Sequence, residues 1–384
     1  NCAMRRIIAS LLAAVAVAAV FALACGCAAA GYTVFPATQC FSSDILFSAK
    51  IIGGRADYAH KRMKETIAEI DRQVSATRPN SDVSRFNAAS ANTRVEVGAH
   101  TYALFELSRE YGALTDGAFN CAAAPLSALW GIDAQSLYNG NTRGLPTYDD
   151  VRETLEYCDV DLVVADAERG RYYLTKADER VKLDFGGIAK GYAVDRCTDI
   201  LREYDVSSAL IDISGNAYFY GRYIDNGKSS DWKVGIVSPR PRGGETLARG
   251  YVCAVSLYGG VSAATAGDYM RFYKHEGEDC QALYIAHIIN KDGAPVGIEY
   301  ADGKWAASDE WVISATVIGE SSAKCDALST AVCVLGMERG AQLLQKVGYK
   351  GLIFTEKRFT IIGDTRLYKP DVYDGFRDYE RYEP

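Results

Sequence analysis

Three clusters in this 384-residue chain have the residue types and spacing to do chemistry. The first is Leu183-Asp184-Phe185-Gly186-Gly187-Ile188-Ala189-Lys190-Gly191, where an apolar run predicted as a strand over 181–185 carries a buried aspartate and breaks through paired glycines into a helix. Glycine has no Cβ, so the backbone at Gly186 and Gly187 can approach a diphosphate closely. The following helix offers unpaired N–H groups and the positive end of its dipole to an anion, and Lys190 adds a mobile charge. Taken alone, the same turn also fits ordinary loop chemistry.

The second cluster lies on a helix predicted after Gly319. Asp326 and Thr330 are four residues apart, so both oxygens project from one helix face. A carboxylate and a hydroxyl make a poor zinc site but a fair partial shell for Mg²⁺, which prefers hard oxygens and keeps waters or substrate phosphates in its other positions. The plainer alternative is an Asp that compensates the helix dipole and a Thr that packs. The third cluster is Ala286-His287-Ile288-Ile289-Asn290, where an apolar strand gives way to the turn residues Lys291-Asp292-Gly293. A histidine leaving a strand can accept a proton, donate to a phosphate or simply sit half-buried. His60, His100 and His275 lie in polar or charged surroundings and read as surface residues.

The elements that must position these groups follow one another without a long linker, which predicts a single catalytic domain over 34–368. Met63, Ile67, Ile70 and Val74 fall on one stripe of a helix predicted over 58–74, and the polar run Arg78-Pro79-Asn80-Ser81-Asp82 ends it. A second helix carries Leu104, Leu107, Tyr111 and Leu114. A third starts at Thr147, where Asp150 completes a capping box. A fourth, near Ile188, presents Ala193, Cys197, Ile200 and Leu201. Strands are predicted at 162–165, 171–174, 181–185, 209–213, 232–237, 253–257, 283–289, 311–317, 351–355 and 359–362. Runs of strands punctuated by helices, without strict βαβ alternation, predict an α+β fold with mixed or antiparallel sheets and packed helices. The Tyr- and Asp-rich tail, 369–384, reads as peripheral.

Composition narrows the class. A net charge of -7 and a pI near 5.3 argue against nucleic acid as partner, since no basic stripe is present to neutralise phosphates. Arg5 and Arg6 precede an apolar run over 7–24, followed by Cys25-Gly26-Cys27, which reads as a secretion or lipoprotein leader over 1–27 with a short linker over 28–33. Cys27 is the expected lipidated cysteine, with Cys25 second and a retained membrane anchor as the alternative. The body is therefore expected on the extracytoplasmic face of a bacterial cell membrane, held there by the lipid. Beyond the leader no cysteine forms a C-x-x-C pair or neighbours a histidine at metal-ligand spacing, which argues against zinc.

In this order the segments resemble the ApbE-type FAD:protein FMN transferases over nearly the whole mature chain. Carrying the resemblance are Asp184 to Asp195, Ala209-Leu210-Ile211-Asp212-Ile213-Ser214-Gly215-Asn216, Trp232-Lys233-Val234-Gly235-Ile236, Thr265-Ala266-Gly267-Asp268-Tyr269, His287-Ile288-Ile289-Asn290 and Asp326-Ala327-Leu328-Ser329-Thr330. Upstream, Ser81-Asp82-Val83-Ser84-Arg85-Phe86-Asn87 resembles the family's loop ending in asparagine. Gly117-Ala118-Phe119-Asn120, with Pro125-Leu126 and Trp130-Gly131, resembles its flavin-contacting turn.

The resemblance implies a T-fold-related single domain in which Mg²⁺ is held by Asp326, Thr330 and the Gly187 carbonyl. FAD is then the substrate, contacted by Asp184, Lys190, Ala118, Phe119, Asn120, His287 and Ile288. A serine or threonine hydroxyl of an acceptor protein attacks the FMN-side phosphorus and AMP departs, with His287, Asp326 and Lys190 as catalytic groups. The implied acceptor carries a Ser/Thr flavinylation motif and is a secreted or membrane electron-transfer subunit. An Mg-dependent FAD pyrophosphatase giving FMN and AMP, and a non-catalytic FAD-binding surface lipoprotein, are the alternatives. Departures from the family pattern are Asn120 for a common aspartate, Ala266 for a frequent serine, a loop after Asn290 without the usual proline, and Thr38-Gln39-Cys40 in place of a Met-Gly-Thr flavin contact.

Overall fold

The computed structural model describes residues 31–132, 144–239, 250–276, 282–369 and 379–382. The expected leader, with Cys25 and Cys27, lies outside them. Among the described residues no helix is long and apolar enough to cross a membrane.

Alternating apolar residues build one sheet of nine strands: β1 (Thr33–Cys40), β2 (Ser42–Ile52), β3 (Ser208–Ile213), β4 (Asn216–Tyr220), β5 (Val261–Gly267), β6 (Ser314–Gly319), β7 (Lys350–Phe354), β8 (Phe359–Ile362) and β9 (Tyr379–Arg381). Their order in the sheet is their order in the chain, and each neighbouring pair is antiparallel except β8 and β9, which run parallel. The tail expected to be peripheral thus supplies the edge strand.

Five helices matter to the site: α1 (Ala56–Val74), α2 (Ala99–Leu114), α3 (Ala189–Glu203), α4 (Ser322–Leu335) and α5 (Met337–Lys346). The predicted stripe on α1 is the buried one, Met63, Ile67, Ile70 and Val74. α3 lies on β3 and β4, α4 on β5 and β6, and α1, α3 and α4 pack side by side. The period of two in the strands divides the core between the two faces of the sheet. In β4, Tyr218 joins the core under the helices, whereas Ala217 and Phe219 join a second core. A three-stranded sheet of Trp232–Val237, Tyr251–Leu257 and Arg366–Lys369 covers that second face. The fold is α+β, as expected from the element order.

Some expectations give way. Residues 181–185 form no strand, although Val181, Leu183 and Phe185 are all buried as the alternation predicts. The neighbour of this segment is a side chain: the Asn87 amide donates to the Leu183 carbonyl at 2.9 Å and accepts its N–H at 2.8 Å. The strand expected over 283–289 is Ala282–Ala286 and stops short of His287, and the one expected from 311 starts at Ser314. His60 and His100 are half-buried, not superficial: His60 stacks on Phe35 with ring centroids 3.9 Å apart, and His100 Nδ1 lies 2.9 Å from the Tyr192 hydroxyl. The capping box of Thr147 and Asp150 is present at the start of the helix Tyr148–Leu155.

The segment that leads to Asp184 is held from below by Lys176. Its buried ammonium donates to the carbonyls of Asn87 at 3.1 Å, Glu179 at 3.0 Å and Val181 at 3.0 Å, and burial pulls its pKa down from the ordinary lysine value. Lys176→Met would leave three carbonyls without their donor, and urea unfolding should show a loss of about 2–4 kcal/mol, since a buried unsatisfied group costs roughly 1–3 kcal/mol.

Candidate functional site

The site is built where α3 and α4 touch. Gly191 makes the approach close: a Cβ there would clash with the Ser322 carbonyl and lie 2.8 Å from Asp326 Cβ. One turn further along α3, Asp195 caps the start of α4. Its carboxylate accepts the N–H groups of Ser322 at 2.7 Å and Ala323 at 3.0 Å and the Ser321 hydroxyl at 2.9 Å. An acidic group on these orphan donors fixes the helix end and favours its dipole. Asp195 therefore sets the height of α4 against α3, and with it the position of Asp326.

Asp326 is 5% exposed and points back at the first turn of α3. It accepts the Gly191 N–H at 3.0 Å and lies 3.3 Å from the Lys190 ammonium. In a regular helix that N–H would go to the carbonyl four residues earlier, Gly187. The helix instead begins at Ala189, its first backbone bonds running from Ala189 to Phe185 and from Tyr192 to Ile188. Gly191 N–H is thus one of the orphan donors of the first turn, the Asp326 carboxylate accepts it, and among the described residues the Gly187 carbonyl, which precedes the helix, accepts no hydrogen bond. Gly187 itself is wedged between Phe119 and Thr330: a Cβ on it would lie 3.1 Å from the Phe119 ring and 3.7 Å from the Thr330 hydroxyl. Thr330 Oγ1 donates only a long 3.4 Å bond to the Asp326 carbonyl in its own helix, so its lone pairs are free.

The electrostatics suit a cation. Burial raises the Asp326 pKa, opposed by Lys190 and by the Gly191 N–H. A buried carboxylate in this state gains from any further positive charge. Asp326 and Thr330 stand one helical turn apart with Gly187 against Thr330, and a carboxylate, a hydroxyl and a backbone carbonyl are an oxygen set that fits Mg²⁺ and not zinc. Lys190 also donates to the Gly186 carbonyl at 3.1 Å, which holds its ammonium over the glycine turn.

His287 leaves the end of the strand Ala282–Ala286. Both its backbone N–H and its ring Nδ1 lie 3.1 Å from the Arg271 carbonyl. A carbonyl only accepts, so Nδ1 carries the hydrogen and Nε2 is left with a lone pair. Burial pulls its pKa down to about 4, with the positive charges of Arg271 and Lys190 acting in the same direction and Asp268 against them. The ring is neutral at pH 7 and able to take a proton.

The remaining predicted residues fall into place unequally. Asp184 is exposed, not buried; its side chain accepts the Gly186 N–H at 2.6 Å and its own N–H goes to the Cys121 carbonyl at 2.9 Å. Ala118 and Phe119 are buried, with Phe119 against Gly187. Both ends of the Asn120 amide serve the backbone, accepting from Ala122 at 2.8 Å and donating to Cys158 at 2.7 Å. Ile288 is buried beside His287. Thr38, Gln39 and Cys40 line a cavity of about 440 Å³ with Phe47, Asp71 and Arg78, and Phe119 and Asn120 line a groove of about 730 Å³ along α2. Asp195 and Asn87 stood inside the recognised segments without an assigned role; their signal is a polar residue within an otherwise buried pattern.

Comparison with known proteins places the chain among flavin transferases in sequence and fold. The sequence profile of the ApbE family matches residues 41–353. The FAD:protein FMN transferase of Treponema pallidum is 30% identical over 312 residues, covering 78% of each chain, and that of Haemophilus influenzae 24% over 297 residues, covering 77% of this chain and 78% of its own. The solved structure of Pseudomonas stutzeri flavinyl transferase ApbE, in its apo form, superposes with a TM-score of 0.67 at 26% identity, over 88% of this chain and 96% of that one. The ApbE protein of Thermotoga maritima gives 0.68 at 25% identity, over 88% and 97%.

Two outcomes follow from the geometry. Gly191→Ala should push α4 away from α3 and lower the unfolding free energy by about 1–3 kcal/mol, the usual cost of overpacking, as read by denaturant titration. In NMR titration the His287 ring should remain neutral down to about pH 4 and charge only below it; a midpoint at the ordinary 6.5 would contradict the assigned environment.

Proposed function

The chain belongs to the ApbE family, and on that premise we propose that it transfers the FMN moiety of FAD to a Ser or Thr hydroxyl of an acceptor protein and releases AMP. The observation that carries this reading is the start of α3, where Asp326 accepts the Gly191 N–H and meets Lys190 while Gly187 lies against Thr330.

Mg²⁺, when bound, supplies a Lewis acid for the FAD diphosphate, and Asp326, Thr330 and the Gly187 carbonyl are the residues that would hold it. The chain's own residues do the rest. Lys190 offsets diphosphate charge, and the glycine turn admits the phosphates close to the backbone. His287 Nε2 takes the proton as the acceptor oxygen bonds to the FMN-side phosphorus; the bond from that phosphorus to the bridging oxygen breaks, and the electron pair leaves with AMP. Phe119, packed against Gly187 at the edge of the groove along α2, suits contact with a flavin ring. The leader sequence supports a lipid anchor at Cys27 on the extracytoplasmic face, and hence a secreted or membrane-bound acceptor.

The test is to incubate the protein with FAD, Mg²⁺ and an acceptor domain bearing a Ser/Thr flavinylation motif, and to measure the acceptor's intact mass together with the AMP and FMN released. A mass gain of one FMN with equal AMP is expected; FMN released free, without a modified acceptor, would make the protein a pyrophosphatase. Asp326→Ala should lower kcat/KM by about 10³-fold or more, the several kcal/mol of a lost metal function, with its circular dichroism unchanged.

A further inference from the structure

Asn216 opens β4 immediately after the tight turn of Ser214 and Gly215, whose φ values are 44° and 90°. The residue is 1% exposed. Alternation along β4 sets its side chain on the helix side of the sheet, the face of Tyr218. It pairs across to Ile213 on β3 and Ala264 on β5, both in the core under the helices. There β4 packs against α4, and the Asn216 amide acts on the Asp326 carboxylate, opposing the rise that burial imposes on its pKa. The opposite amide orientation would turn an oxygen against that carboxylate, so the nitrogen is the end given to Asp326 and Oδ1 is left for another partner. Among the described residues Oδ1 is buried and has no hydrogen-bond partner. Native interiors rarely leave such an acceptor unmatched, and one on a side chain that faces the Asp326 carboxylate can be matched by a cation bound to that carboxylate.

We propose that Asn216 is a further oxygen donor of the cation site, its Oδ1 facing the divalent cation held by Asp326, Thr330 and the Gly187 carbonyl while its Nδ2 orients Asp326. The proposal rests on the reading of that site as a cation site. It adds a neutral ligand from the sheet to donors that otherwise all come from α4 and the start of α3. The cation then ties β4 to both helices.

The test titrates the full protein with Mn²⁺, with and without FAD, by electron paramagnetic resonance, and melts the cation-free and Mn²⁺-saturated protein in parallel. Asn216→Ala should weaken Mn²⁺ binding about tenfold or more, and saturating Mn²⁺ should raise the variant's melting temperature by less than it raises the wild type's. A purely structural Asn216 gives a variant that binds Mn²⁺ as the wild type does and gains as much melting temperature from it, however low its cation-free melt, and that result overturns the proposal. Asn216→Ser, smaller but still polar, should fall between the two in affinity and serves if the alanine variant does not fold. A wild type that binds no Mn²⁺ under either condition would fail the cation reading itself, and Asn216's place in it.

Discussion

The whole site depends on one buried carboxylate that bridges two helices. Asp326 reaches across from α4 to the Gly191 N–H, an orphan donor in the first turn of α3, which starts two residues past Gly187. The carboxylate satisfies that donor and sits beside the glycine turn whose carbonyls precede the helix. The carboxylate is costly to bury, and it is tolerated because Lys190, the Gly191 N–H and the Asn216 amide surround it. Such a group accommodates a further cation readily, since the charge has already been taken out of water.

The scaffold serves that contact. The sheet runs in chain order and gives α3 and α4 adjacent seats on β3 to β6, and Gly191 lets the two helices come close enough for Asp326 to bridge them. Asp195 fixes their relative height through three hydrogen bonds at the start of α4. On the other side, Lys176 and Asn87 hold the unpaired segment before Asp184, so the glycine turn is approached by a chain whose backbone groups are satisfied without a strand partner. His287 reaches the same region on a separate hairpin, its tautomer fixed by the Arg271 carbonyl.

Much of this was legible in the sequence, and the gaps have physical causes. Helical period placed α1, and alternation placed most strands, because both patterns record which side chains are buried. Alternation also suggested a strand at 181–185, where burial is right but the partner is a side-chain amide, something no local pattern contains. Spacing put Asp326 and Thr330 on one helix face and glycine chemistry put Gly187 at a turn. The link between them, a hydrogen bond spanning 135 residues, is a property of the tertiary structure. Asn120 shows the reverse: its segment was recognised, yet its amide is consumed by backbone. Asp184 was read as buried from its apolar neighbours, but its side chain turns outward to the Gly186 N–H.

The central claim is that Asp326, holding the Gly191 N–H at the start of α3, shares one cation with Thr330 and the Gly187 carbonyl. Anomalous scattering from crystals grown with Mn²⁺ and FAD tests it directly. The account predicts one peak within coordination distance of Asp326, Thr330 and the Gly187 carbonyl. A Gly187 carbonyl found accepting the Gly191 N–H, with Mn²⁺ bound elsewhere or not at all, would contradict it.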